Sequence, residues 1–226
     1  MTKRIARRLR AAGFGGLCFV LLVASRAGAQ DAPAASVIRQ GAQHYGVFAA
    51  GGVGTGERSD FKFFNAGGQV GFVLTRAALP GLLHGNFEVG SEVVPLWESF
   101  TPHRVYTYKN KDGTTQSFAG GGTYWGVGLT PLILRWNLVH SQTRLVPWVQ
   151  GAGGLLYTTK KYPLPATSVW NFEPQFGLGV HYFVNSRHSI DFAANAIHIS
   201  NASLGDHNPG VNALVQFQLG YTWWKK

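Results

Sequence analysis

The sequence is poor in several features that stabilise or anchor other classes of protein. It has one cysteine, Cys18, and only 13% charged residues among 226, and no run of 18 apolar residues follows the first 29. The single cysteine excludes a disulfide framework, and the missing apolar run excludes a transmembrane helix in the remainder. No convincing helical periodicity is present, and the 30 glycines disfavour helices. The chain is therefore expected to be built from β-strands.

The first 29 residues have the organisation of a secretory signal peptide. Five basic residues precede an apolar segment at 13–24, and the small residues Ala27-Gly28-Ala29 form a cleavage site before Gln30. We therefore predict a signal peptide over 1–29 and a mature domain over 30–226. Six of the twenty basic residues and none of the ten acidic ones lie in that peptide, which leaves a formal charge of +4. So modest a charge argues against nucleic acid as a partner.

Apolar and polar residues alternate with the period of two that is typical of half-buried strands. The clearest example is the last segment, where Val215, Phe217 and Leu219 share one face and Gln216 and Gln218 the other. The predicted strands span residues 44–53, 67–76, 84–93, 123–138, 144–157, 171–183, 189–200 and 210–224.

The connections between these segments indicate which kind of barrel they form. Those after strands two, four and six are short, whereas 54–66, 94–122 and 158–170 are longer, as in bacterial outer-membrane barrels. A soluble lipocalin-like barrel is the alternative, but its outward face should be polar. Here the apolar face of the last strand carries bulky aliphatics and ends in Tyr221 and Trp223. The predicted fold is an all-β, eight-stranded antiparallel transmembrane β-barrel with both termini on the periplasmic side.

Inside such a barrel, polar side chains should form a paired network. Arg135 and Arg76 are the candidate partners for the carboxylates, because buried carboxylates must be paired. The predicted lumen residues are Asn86, Glu88, Glu92, Glu173, Gln175 and Asp191.

His198 and Ser200 lie two residues apart at the end of the predicted seventh strand, on the face that also carries Phe192, Ala194 and Ala196. That face is otherwise apolar, so both side chains are expected to point toward lipid at the outer-leaflet end of the strand. An imidazole beside a hydroxyl is an arrangement that can activate a nucleophile. The alternative is an interfacial histidine that only tolerates the head-group region.

The residues from His198 to Ala202 (His-Ile-Ser-Asn-Ala), with Asn208-Pro209-Gly210 and the final strand, resemble the lipid A 3-O-deacylase (PagL) family of outer-membrane hydrolases. The resemblance implies a barrel whose site lies on the lipid-facing wall and removes the ester-linked acyl chain at the 3-position of lipid A. It implies no cofactor and no metal. The implied partner is lipid A of lipopolysaccharide in the outer leaflet.

The same resemblance implies roles for individual residues. Ser200 would be the nucleophile and His198 its general base, by the logic of serine hydrolases. Asn201, Ser203 and Asn208 would organise the site, and the backbone around 201–203 would supply oxyanion donors.

Two positions depart from the family pattern. The family commonly has a glycine where this chain has Ser203, and its histidine-orienting glutamate falls at Asn212. An amide can fix the imidazole by a hydrogen bond but cannot stabilise the imidazolium as a charge. Asp206 is the nearest acid that would substitute, and strict alternation requires a bulge before residue 212 can reach His198. The missing glutamate favours a non-enzymatic OmpA/OmpX-like barrel in adhesion or membrane integrity, whereas the His-x-Ser-Asn string favours the hydrolase.

Overall fold

Eight antiparallel strands close into a barrel in the computed structural model, each strand pairing with its neighbour in sequence and β1 with β8. The structure describes residues 34–109, 112–140, 144–164, 167–205, 208 and 211–225, so the predicted signal peptide lies outside the described residues. A short helix α1 (Ala34–Val37) precedes the strands β1 (Gln43–Gly54), β2 (Lys62–Val73), β3 (Asn86–Lys109), β4 (Thr115–Asn137), β5 (Leu145–Tyr162), β6 (Ser168–Asn185), β7 (His188–Ile199) and β8 (Val211–Lys225). No helix in these ranges is long and apolar enough to cross a membrane.

The predicted number of strands and their two faces are confirmed. Along β7, the side chains of Asp191 and Asn195 are buried inside the barrel, whereas Phe192 and Ala196 point outward. β8 shows the same alternation, with Gln216 buried and Phe217 66% exposed. A closed sheet leaves no unpaired edge, so every strand has a hydrogen-bonded neighbour on both sides.

The outer wall is apolar over its middle, which contradicts the soluble alternative. Large side chains on every strand are exposed there, and a soluble barrel would present polar residues at these positions. Aromatic residues gather near both ends of this band, as expected at membrane–water interfaces. Tyr45 stacks on Trp223 at one end, and Tyr157 packs on Trp170 at the other. The exposed wall residues include Val47, Val70, Leu129, Leu134, Leu178, Phe192, Phe217 and Leu219.

The prediction of long loops after strands three and five is wrong. Most of 94–122 is strand, because β3 and β4 continue as a paired ribbon to Lys109 and Thr115, and β5 and β6 likewise extend to Tyr162 and Ser168. Backbone hydrogen bonds between paired strands do not depend on side-chain polarity. The strands therefore continue beyond the segments in which apolar and polar residues alternate.

Two apolar clusters fill the barrel near its two ends. At the end that carries both termini (the terminal end), α1 and the following residues insert Val37 and Ile38, each 1% exposed. At the opposite end (the outer end), aromatic side chains predominate. The terminal-end cluster is Val37, Ile38, Ala42, Val73, Val139, Val146, Phe183 and Trp224. The outer-end cluster is Phe48, Phe61, Phe63, Val94, Trp97, Tyr106, Tyr124, Leu156, Tyr162, Leu164, Ile197, Ile199 and Leu214.

A polar network lies inside the barrel toward the terminal end. Glu88 accepts hydrogen bonds from Arg135 at 3.0 Å and Asn137 at 2.9 Å, and lies 2.9 Å from His44 Nε2. Arg135 was a predicted partner and is confirmed. Arg76 instead donates to Gln40 at the rim. Desolvating a carboxylate is costly, so this ring of donors is what makes the burial of Glu88 tolerable.

Candidate active site

His198 and Ser200 project from the last residues of β7 on the outer face of the barrel, as predicted. Both are partly exposed, whereas Ile197 and Ile199, which alternate with them along the chain, are buried inside. The backbone of Ser200 is fixed by two hydrogen bonds with Phe172 of β6, from Phe172 N to Ser200 O at 2.7 Å and from Ser200 N to Phe172 O at 3.1 Å. His198 and Ser200 therefore share one face of the wall, with Ser200 at the point where the strand ends.

A β-bulge in β8 lies directly beside His198. Ile197 pairs with Leu214 and Ile199 with Val211, so one residue of β7 faces two of β8, Asn212 and Ala213. Such a bulge shifts the alternation of the bulged strand by one position. The bulge that a contact between position 212 and His198 requires is therefore present.

The Ser200 hydroxyl is held on two sides. Its Oγ donates to Asn208 Oδ1 at 3.1 Å and accepts from the amide of Ala202 at 3.2 Å. Asn208 Oδ1 also accepts from the amide of Asn201 at 3.2 Å. One side-chain oxygen thus fixes both the Ser200 hydroxyl and the start of the loop that follows it.

The turn after Ser200 is tight, and several of its backbone amides donate hydrogen bonds to acceptors within the turn. Asn201 is 2% exposed, its Oδ1 accepts from Ser203 N at 3.0 Å, and its carbonyl accepts from Leu204 N at 2.9 Å. Ala202 N is the amide that points at the Ser200 oxygen. Of the backbone donors expected at 201–203, it lies nearest to where an oxyanion would form on a carbonyl attacked by Ser200.

Gly205 and Thr167 contribute to the site but carry no recognisable sequence signal. A Cβ on Gly205 would lie 2.7 Å from the carbonyl carbon of Thr167, and Thr167 is buried. The loop after β7 therefore packs closely on the turn between β5 and β6, which only glycine permits. Distance along the chain hides this contact from sequence analysis.

A shallow trough leads along β7 away from the site. Its floor consists of Ala194 and Ala196, whose cross-strand partners are bulky residues that face the same side. Phe192, 52% exposed, closes the lower end of the trough. The side walls are Phe176 and Leu178 of β6 and Val215 and Phe217 of β8. The apolar trough therefore begins beside Ser200 and follows the outer wall.

The structure thus brings together five of the predicted residues: His198, Ser200, Asn201, Ser203 and Asn208. For Asn212 it gives the backbone position, and Asp206 lies outside the described residues. In the described ranges, no group of three or more His, Cys, Asp and Glu side chains is placed to hold a metal ion.

Comparison with known protein families decides what kind of barrel this is. Residues 86–222, more than half of the chain, match the family described as lipid A 3-O-deacylase (PagL). The chain belongs to the PagL family. The matched region runs from the start of β3 to near the end of β8 and contains every residue of the candidate site. The sequence matches no curated relative.

Among solved structures, the outer-membrane enzyme PagL is 15% identical, with 78% of this chain and 97% of that chain covered and a TM-score of 0.46. The N-terminal β-barrel domain of Pseudomonas aeruginosa OprF is 12% identical, with 82% and 98% covered and a TM-score of 0.45. Neisserial surface protein A is 11% identical, with 81% and 99% covered and a TM-score of 0.48.

Proposed function

We propose that this PagL-family barrel is an outer-membrane esterase that removes the ester-linked acyl chain at the 3-position of lipid A. The observation that carries the proposal is the placement of His198 and Ser200. They lie together on the outer wall, at the upper end of an apolar trough, with the Ser200 oxygen held by Asn208 and Ala202 N. A soluble ester could not use a site that opens sideways from the wall, whereas a membrane lipid could.

The dimensions of the barrel support a location in the outer membrane. The twelve residues of β7 (His188–Ile199), at about 3.4 Å per residue and a tilt of about 40°, span about 30 Å along the barrel axis. That length slightly exceeds the apolar band of about 25 Å in outer-membrane barrels. With the terminal end in the periplasm, Ser200 lies at the level where acyl chains of the outer leaflet join their head groups.

In the proposed reaction, His198 removes the Ser200 proton as Oγ attacks the ester carbonyl carbon of the acyl chain. The hydroxyl must first turn from Asn208 toward the imidazole. The Ala202 amide then stabilises the tetrahedral oxyanion. As the intermediate collapses, the imidazolium protonates the departing 3-hydroxyl of the sugar, and the acyl chain stays on Ser200. Water activated by His198 next releases the chain as a fatty acid and restores the serine.

Asn212 would serve as the histidine's partner in place of the family's glutamate. Its backbone lies beside His198 because of the β8 bulge. An amide oxygen can fix the tautomer that leaves one ring nitrogen free to act as base, but it carries no charge to offset the imidazolium. We therefore propose a working but slower hydrolase, with Asp206 as the alternative acid.

A second function is favoured by that same substitution. An OmpA/OmpX-like barrel in adhesion or membrane integrity would have no use for the orienting carboxylate, and Asn212 is the residue expected if catalysis had been lost. The two functions differ in one measurable respect, the acylation state of lipid A in the cell.

The test is mass spectrometry of lipid A from cells that express the wild type, Ser200→Ala or His198→Ala. We expect the wild type to remove one 3-linked acyl chain and both variants to lose this activity while folding normally, judged by heat-modifiable migration on gels. Ser91→Ala and His188→Ala, on the outer wall away from the site, are the matched controls and should keep full activity. Wild-type activity in both site variants would refute the proposed mechanism, and unchanged lipid A in all cells would favour the non-enzymatic barrel.

A further inference from the structure

The rim at the terminal end of the barrel carries a basic cleft that the proposed reaction does not use. It has a volume of about 640 Å³, and none of the described residues that line it is acidic. Arg39 comes from the segment before β1, Arg76 and His84 from the connection between β2 and β3, and His140 from the turn after β4. Four side chains that carry or can gain positive charge thus converge from three segments, and the described part of the lining contributes no carboxylate.

Beside this cleft, residues 77–85 form a rigid loop between β2 and β3. Ala78 and Gly85 form an antiparallel bridge, and His84 Nδ1 lies 3.0 Å from the carbonyl oxygen of Leu79. Leu79 has a φ of 67°, a left-handed conformation that is unfavourable for a leucine. The contacts of the loop therefore hold a strained backbone in one shape.

That shape exposes leucines instead of burying them. Leu79, Leu82 and Leu83 are 53%, 86% and 61% exposed. Trp136, on the outer face of β4, donates from Nε1 to the carbonyl of Leu83 at 3.2 Å. The loop consequently lies against the lipid-facing side of the rim, where exposed leucines meet hydrocarbon and a tryptophan occupies the interface.

We propose that this rim binds a phospholipid of the inner leaflet, with its phosphate between Arg39 and Arg76 and its acyl chains against Leu82 and Leu83. Guanidinium groups are well suited to phosphate because they donate several hydrogen bonds in a fixed plane. The proposal rests on the outer-membrane location in the proposed function. A lipid held at this rim would fix the depth of the barrel in the membrane and hence the level of Ser200 relative to the outer leaflet.

The depth of residue 82 in the bilayer is tested with a nitroxide label on Leu82→Cys. The label attaches there alone, because the only natural cysteine, Cys18, falls in the predicted signal peptide. The mature protein is placed in phosphatidylglycerol/phosphatidylethanolamine nanodiscs, and relaxation by oxygen is compared with relaxation by a water-soluble nickel chelate. Phe217→Cys on the mid-wall and Asp112→Cys on the outer hairpin are the lipid and water references. We expect the Leu82 label to resemble the Phe217 label, with at least about threefold more relaxation by oxygen relative to nickel than the Asp112 label shows.

Head-group binding is tested by native mass spectrometry of delipidated protein titrated with phosphatidylglycerol. Arg76→Gln should weaken binding about tenfold, as expected for loss of a charge-assisted hydrogen bond to phosphate. The matched control is Arg187→Gln, which removes an exposed arginine from the turn between β6 and β7 at the same end and should change binding about twofold or less. Inorganic phosphate at the same concentration should not displace the lipid.

These outcomes distinguish failure of the phospholipid site from failure of the proposed function. A Leu82 label in water, an equal effect of Arg76→Gln and Arg187→Gln, or displacement by inorganic phosphate would each overturn the phospholipid site. If the Phe217 label were also in water, the outer-membrane location itself would fail. Deacylation by a barrel whose Leu82 label lies in water would leave the proposed function intact and reject only the rim site.

Discussion

At the scale of residues, the loop after Ser200 combines a place in the candidate site with backbone strain. Ala202 and Ser203 have φ values of 47° and 65°, in the left-handed region that L-residues avoid. The hydrogen bonds that the side-chain oxygens of Asn201 and Asn208 accept from backbone amides compensate for this strain. The family's usual glycine at the position of Ser203 is therefore what the backbone geometry favours.

Ser203→Gly should relieve part of that strain. Glycine adopts left-handed angles without the steric cost of a Cβ, so the free energy of unfolding should rise by about 1 kcal/mol. Urea titration of the barrel in lipid vesicles measures it. Ser91→Gly, inside β3, should instead lower the free energy of unfolding because glycine weakens a strand. A loss of stability in Ser203→Gly would contradict the strain argument.

Asn212→Glu tests whether the orienting position works without a charge. A carboxylate beside His198 would stabilise the imidazolium formed during acyl transfer, and replacing such a carboxylate by an amide costs serine proteases about four orders of magnitude. We expect turnover of purified lipid A to rise at least about tenfold. If Asp206 already supplies the charge, Asn212→Glu should instead be neutral or harmful through repulsion, and Asp206→Asn should reduce turnover.

At the scale of elements, β7 and its two neighbours build the surface on which an acyl chain would lie. Small residues on β7 and large ones on β6 and β8 make a trough out of three otherwise similar strands. The trough is lipid-facing, so it requires no pore and no opening of the barrel.

Ala196→Phe should fill that trough. The aromatic ring would occupy the acyl path next to His198, and we expect deacylation of lipid A in vesicles to fall at least about tenfold, the loss associated with small misplacements of a bound substrate. Folding should be unaffected because the side chain faces lipid. Val70→Phe, at another exposed position on the outer wall, is the control, and equal losses in both variants would argue against a trough-bound acyl chain.

At the scale of the whole molecule, the apolar clusters at both ends and the polar network between them make the barrel a solid scaffold. Each cluster draws its buried aromatic or aliphatic side chains from several strands around the barrel. We expect no steady ion conductance in planar bilayers, because apolar constrictions exclude water and ions. A stable single-channel current would contradict this description of the lumen.

Glu88→Ala should destabilise this scaffold. It would leave Arg135 buried without its carboxylate, a loss of about 3–5 kcal/mol for a broken buried pair. The unfolding free energy in vesicles measures the effect. Glu57→Ala, in the exposed turn after β1, should change stability by less than about 1 kcal/mol.

The sequence by itself determined the strand number, the two faces of each strand and the position of His198 and Ser200 on the wall. All of these follow from a period of two, which is a local property of the chain. The tertiary structure decided the paired ribbon beyond the apolar band, the bulge that brings residue 212 beside His198, the hold of Asn208 on Ser200 and the cleft between Arg39 and Arg76. Each of these depends on which residues of separate strands or turns become neighbours, and that is set by cross-strand register and barrel closure, which no local pattern records.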